Sequence, residues 1–156
     1  MVPKRDDKMS EADLFQLEAD TLIKMPKVPA TEETYECQLS GNLSIPLVSE
    51  DRRENFHLDI WRSGIALAKG RYQNRARNVV VLLRLDFGGA PHRNPDGTEL
   101  PCPHLHIYRE GFADKWAVPL PTDKFGNIAD VWQSLSDFMA YCTLVRMPRI
   151  NRGLYT

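Results

Sequence analysis

The sequence has no apolar run approaching the length of a membrane span, and its opening residues, MVPKRDDKMSEADL, include no apolar leader region. A cytosolic protein without a membrane association is therefore the expectation. Cysteine is scarce. Cys37, Cys102 and Cys142 are odd in number and lack CxxC spacing, which argues against a disulfide frame or a zinc knuckle and for reduced thiols. There is no Walker A loop, no GxGxxG, no GxSxG elbow and no HExxH, so the common phosphate-cradle, dinucleotide, serine-hydrolase and zincin signatures are missing. No internal repeat or low-complexity tract interrupts the chain. Acidic residues are absent from Ile60 through Leu85, where Arg62, Lys69, Arg71, Arg75, Arg77 and Arg84 all lie.

What is present is ordinary for one globular domain: 156 residues, 42% hydrophobic and 26% charged. The net charge of −1 conceals an asymmetry. Residues 1–59 carry 13 acidic and 7 basic side chains, and residues 60–156 carry 8 and 13. A basic segment attracts phosphates, or it is a solvated face balanced by the acidic half of the same molecule.

The element order predicts an α+β fold. Residues 1–9 are expected to be disordered and residues 10–156 to form a single domain. Ser10 to Asp13 reads as a helix cap, followed by Leu14, Leu17, Thr21, Leu22 and Met25 at helical spacing until Pro26. Tyr35, Cys37 and Leu39 alternate as a strand; Leu43 to Leu47 alternates again, with Pro46 marking an edge strand or extended arm. Phe56 to Arg62 is a further strand, and Ser63-Gly64 turns into Ile65 to Lys69. The polar segment Arg71 to Arg77 is a hairpin loop or a strand continuation. Val79 to Phe87 is the central strand, with Arg84 and Asp86 sharing a face with Val80 and Leu82. Asn94-Pro95-Asp96-Gly97 is a turn. After a short strand at Trp116 to Leu120, Asn127 caps a helix of about fifteen residues. A last edge strand is expected at Leu144 to Met147. Together these segments predict an antiparallel sheet of about five to seven strands with an N-terminal and a C-terminal helix on one face.

Chemistry concentrates between Arg84 and Glu110, which holds three of the four histidines. On a strand, His104, His106, Tyr108 and Glu110 point one way. Pairing with the central strand would bring Arg84 and Asp86 beside the two imidazoles. One reading is metal-independent RNA cleavage of the toxin type. His104 and His106 serve as acid and base, Arg84 stabilises the phosphate, and His92 supports them. Asp86 orients a histidine and Tyr108 donates a proton or stacks on a base. Arg62, Arg71, Arg75 and Arg77 track a nucleic-acid backbone. This reading needs no cofactor. A second reading is one divalent metal ion held by His92, His104, His106 and Glu110. His-x-His ahead of Glu110 resembles the first half of the cupin metal motif, but Gly97 stands one residue too far away and the second cupin motif is missing. A third reading is a non-catalytic module that grips RNA or another nucleic acid, or an antitoxin or other protein partner.

The region from about Phe56 to Ala117 resembles a family of uncharacterised small prokaryotic proteins, some associated with phage or mobile elements. The resemblance rests on FHLDIWR, Gln73-x-Arg75, LLRLDFGGAPHRNPDG and PHLHIYREGFADKWA. It implies no catalytic residues, and it favours defence, toxin–antitoxin or phage biology over metabolism.

Overall fold

Alternating side chains from the middle of the sequence build the frame. In the computed structural model, which describes residues 13–37, 40–64 and 68–152, the chain runs α1 (Gln16–Lys24), β1 (Lys27–Pro29), β2 (Thr34–Glu36), β3 (Gly41–Ser49), β4 (Asn55–Arg62), β5 (Gly70–Ala76), β6 (Val80–Phe87), β7 (His92–Arg93), β8 (Glu99–Leu100), β9 (His104–Ile107), β10 (Ala117–Pro119), α2 (Val131–Tyr141) and β11 (Arg149–Asn151). Seven strands make one sheet in the order β1-β3-β4-β5-β6-β9-β10. Every pairing in it is antiparallel. The fold is thus the expected α+β arrangement with two helices. Two small pairs lie outside that sheet: the β7/β8 hairpin and β2 with β11.

One face of the sheet is apolar. Ile45, Leu47, Phe56, Leu58, Ile60, Tyr72, Leu83, Leu85 and Leu105 are buried in a single core with Leu14, Ala19 and Leu22 of the N-terminal segment and Leu135, Phe138 and Met139 of α2. Burial of such side chains, about 1.5–3 kcal/mol each, holds both helices to that face. Tyr72 pins α2 in particular: its ring lies 5.0 Å from Phe87 and 5.9 Å from Phe138, and its hydroxyl donates to the Val131 carbonyl at 3.2 Å. The other face is polar and carries no helix among the described residues.

Several local expectations are corrected. The central strand does not keep period 2. Asn74 pairs with Leu83 and Arg75 with Val81, so Leu82 is an extra residue in β6. This bulge turns Val80 and Leu82 to the core together with Leu83, Leu85 and Phe87, and leaves Arg84 and Asp86 on the opposite face. The basic segment is strand β5, closed by a tight turn in which Arg77 (φ 50°) and Asn78 (φ 66°) are both left-handed. β3 is internal rather than an edge. Pro46 fits there because its carbonyl accepts from Ala30 N at 3.0 Å, just past the end of the short β1 pairing, where no ladder donor is required of it. α1 begins at Gln16 without a side-chain cap, and Leu17 is 80% exposed. The Ser10 end of the expected cap lies outside the described residues, as does most of the strand expected at Ile65 to Lys69. α2 is capped by Asp130, whose carboxylate accepts from Trp132 N and Gln133 N; Asn127 only turns the chain ahead of it. The last strand is β11, parallel to β2, while Leu144 makes only an isolated bridge to Lys27.

Candidate metal centre

The polar face of the sheet collects the chemistry because β6 and β9 are neighbours. Their register sets Arg84 opposite His106 and Asp86 opposite His104. Cross-strand partners on one face lie within side-chain reach. His104 Nε2 stands 3.5 Å from Asp86 Oδ2, and His106 Nε2 stands 3.3 Å from the same oxygen. One ligand atom from each of the three residues lies within 4.8 Å of the others. Both imidazoles are almost fully buried, at 2% and 1% exposure.

The remaining ring nitrogens fix the tautomers. His106 Nδ1 lies 2.8 Å from the Asp114 carbonyl, and His104 Nδ1 lies 3.2 Å from the Pro101 carbonyl. A carbonyl only accepts, so each Nδ1 carries a proton, and each ring in its neutral form presents a bare Nε2 toward Asp86. Burial pushes the His104 imidazole below its ordinary pKa. The Pro101 carbonyl and Asp86 oppose this, and the neighbouring imidazoles reinforce it. Asp86 is the reverse case. Burial would raise its carboxyl, but the charges of Arg84 and Arg71 and the Arg71 hydrogen bond outweigh that and hold it well below the usual carboxylate range. Two lone pairs and a carboxylate oxygen therefore converge, an arrangement that calls for a cation. Donors around a tetrahedral ion at 2.0–2.2 Å stand about 3.3–3.6 Å apart, which the two separations from Asp86 match.

Arginine supplies part of that positive charge. Arg84 Nη2 is 3.0 Å from His106 Nε2, Nη1 donates to Asp114 Oδ2 at 2.5 Å, and Nε lies 3.3 Å from Asp86 Oδ1. Arg71 Nε donates to Asp86 Oδ1 at 2.8 Å.

His92 closes the cluster from above. It sits on the β7/β8 hairpin, its ring centroid 4.5 Å from His106 and 5.6 Å from His104. Its Nε2 lies 2.8 Å from the Lys115 carbonyl, and it stands outside the ligand group of Asp86, His104 and His106, so it forms a wall of the site. The hairpin turns at Gly97 (φ 90°), as the Asn-Pro-Asp-Gly signal indicates. Asn94 clamps it down: its Nδ2 donates to the Ala117 carbonyl at 2.9 Å and its Oδ1 accepts from Ala117 N at 2.8 Å. β6 can leave the site sharply because residue 88 is glycine (φ 68°), where a Cβ would stand 2.1 Å from the Ala68 carbonyl oxygen.

Four of the sequence candidates lie elsewhere. Tyr108 turns into the core, because its amide follows the bulge and bonds to the Leu82 carbonyl. Its hydroxyl accepts from Leu14 N at 2.6 Å and donates to the Leu14 carbonyl at 2.9 Å. Glu110 lies past the end of β9, and its carboxylate accepts from Gln16 N at 3.2 Å; it is no ligand beside the histidines. Arg62 ends β4 on the core face and is nearly buried. Arg77 sits at the β5 turn, paired with Glu18 at 3.0 Å and Glu54 at 2.9 Å. Arg75 is on the polar face but bound to Asp59 at 2.9 Å. No sequence pattern marks Asp114 or Asn94 as part of the site, where they hold Arg84 and Ala117. Both are polar residues in turns, a setting that ordinarily means solvent, and only the strand pairing reveals what they hold.

A hollow of about 300 Å³ adjoins the cluster, lined by Trp61, Lys69, Arg71, Arg84, Asp86, His92, Cys102 and His104 among others. A family model described as a family of unknown function (DUF6978) matches residues 14–144. No curated protein and no solved structure matches the chain.

Proposed function

Since the chain belongs to this family of unknown function, we propose from its geometry that it is a divalent-metal-dependent hydrolase acting on a phosphate-bearing substrate. The carrying observation is the convergence of His104 Nε2, His106 Nε2 and Asp86 Oδ2, with both Nδ1 protons held by backbone carbonyls. Carbonyl anchoring of the far nitrogen is what metal-binding imidazoles require for a fixed ring orientation. Two imidazoles and a carboxylate suit zinc, iron or manganese, and such an ion would supply an acidified water as nucleophile. Lys69, Arg71 and Arg84 around the adjoining hollow favour an anionic substrate and stabilise charge developing on its oxygens. His92 on its hairpin limits the entry of water.

One contact favours the metal-independent ribonuclease instead. Arg84 Nη2 against His106 Nε2 puts a guanidinium where a phosphate stabiliser belongs. That reading asks two nearly buried rings facing the same oxygen to act as separate acid and base, which the geometry serves less well. The association with phage or mobile elements rests on the sequence resemblance alone.

Elemental analysis of the purified protein, after equilibration with zinc or manganese and gel filtration, should find about one ion per chain. His106→Ala should lose it, as should Asp86→Asn, with folding checked by circular dichroism. Hydrolysis of a phosphodiester ester should stop on chelation. An ion count equal in wild type and both folded variants overturns the proposal. RNA cleavage that persists in chelator and is lost in His104→Ala would establish the ribonuclease reading in its place.

A further inference from the structure

The hollow beside the cluster does not end there. Trp61, Lys69 and Arg71 also line a larger depression of about 630 Å³, bounded by Asn42, Ser44, Asp59, Gln73 and Arg75. The two share that wall, so they form one trough across the polar face of β3, β4, β5 and β6. It carries four cationic side chains, Lys69, Arg71, Arg75 and Arg84, against the two carboxylates of Asp59 and Asp86. Lys69 is exposed and makes no ion pair among the described residues. Arg71 engages Asp86 through Nε, and its side chain is 49% exposed.

Trp61 stands at the junction. Two other tryptophans have their rings covered, Trp116 by Arg109 at 4.0 Å and Trp132 by Arg152 at 4.7 Å. Trp61 has no such cover among the described residues, though it is flanked on the sheet by Asn42 and Arg71. A partly exposed indole beside exposed cations, with amide and hydroxyl groups further along, is the chemistry of a stacking platform on an electrostatic track.

We propose that the trough binds single-stranded nucleic acid, with one base stacked on Trp61 and the adjoining phosphate carried past Lys69 and Arg71 toward the Asp86–His104–His106 cluster. This names the substrate class of the reading above and rests on it for the chemistry, although the binding itself needs no metal.

The test is fluorescence anisotropy with a labelled twelve-nucleotide oligouridylate, read across a salt series on the full chain, in chelator and with metal. Trp61→Ala should weaken binding by roughly fivefold to a hundredfold, the range for losing one stacked base. Lys69→Ala should lower the slope of log affinity against log salt by about one. Trp61 emission should quench on titration. His106→Ala should still bind, so failure of the metal reading leaves this result standing, and failure here leaves the ion count intact. No saturable binding, equal affinity for a duplex of the same length, or binding unchanged in both Trp61→Ala and Lys69→Glu overturns the proposal.

Discussion

Arg84 occupies the position where a guanidinium and a metal ion compete. Its Nη2 faces the lone pair of His106, and its other nitrogens engage Asp114 and Asp86. Like charges at such separations repel by a few kcal/mol at the effective dielectric of a partly buried site, about 4 kcal/mol at 4 Å before relaxation. Removing the guanidinium frees the Nε2 donor and leaves Asp86 less compensated. Arg84→Met should therefore tighten zinc binding roughly tenfold, as measured by competition with a chromophoric chelator. Weaker binding in a folded Arg84→Met protein would mean that the arginine orients the ligands rather than excluding the ion. Tyr108 has the opposite character. Tyr108→Phe strips the buried Leu14 amide and carbonyl of their partner and should cost about 1–3 kcal/mol in urea unfolding. The metal stoichiometry should not change, since the ring sits in the core. A lost ion in a stable Tyr108→Phe protein would put this residue back in the site.

At the level of elements, the β7/β8 hairpin depends on one side chain. Asn94 replaces two backbone partners of Ala117, whose register on β9 is opposite His106. Asn94→Ala leaves that amide and carbonyl short of a partner and should lower stability by about 1–3 kcal/mol. It should also let His92 lift, so a bound ion should leave faster to excess chelator; an unchanged release rate would show that the hairpin does not close the site. The pairing that brings Arg84 and Asp86 to His104 and His106 was legible in the sequence. Two β-rich segments joined by Gly88-Gly89 and Asn-Pro-Asp-Gly have little choice but to run antiparallel. The alternation of Phe56 to Arg62 was equally plain. The phase of β6 was not, because VVVLLRL is apolar on both sides of the bulge and Leu82 leaves no mark of being supernumerary. The same slip hid the inward turn of Tyr108, and with it the loss of Glu110 from the site. Asn127 and Asp130 are both good caps three residues apart, and only the chain path decides between them. The β2–β11 pair joins strands far apart in sequence through three residues each, too short for periodicity to register.

Across the whole molecule, the acidic early half and the basic later half neutralise each other in several places. Glu18 and Glu54 pair with Arg77, Asp59 with Arg75, and Glu32 with Arg146 at 2.7 Å. These pairs are all at least partly exposed and contribute little to stability individually, and their main effect is to narrow the basic segment to Lys69 and Arg71 on the polar face. A stronger link between the two ends of the chain is Lys27. It is fully buried, and its ammonium donates to the carbonyls of Ile23 at 3.0 Å, Met25 at 2.9 Å and Cys142 at 2.8 Å, tying the C-terminal ends of α1 and α2 together. Positive charge belongs at helix C-termini, where the last carbonyls are unpaired. Lys27→Met strands all three oxygens and should destabilise the fold by about 3 kcal/mol or more. Burial pushes the Lys27 ammonium from 10.5 down to about 8, with the Cys142 sulfur pulling the other way. Between those two values the unfolded chain holds the proton that the folded chain has released. Wild-type stability relative to Lys27→Met should thus be flat below about pH 8 and rise from there to 10.5. Urea unfolding of both proteins at pH 7, 9 and 10 measures that difference. A difference that falls over the interval would mean that the three carbonyls hold the ammonium more tightly than burial repels it, and Lys27 would then be a net clamp whose contribution is lost only in alkali.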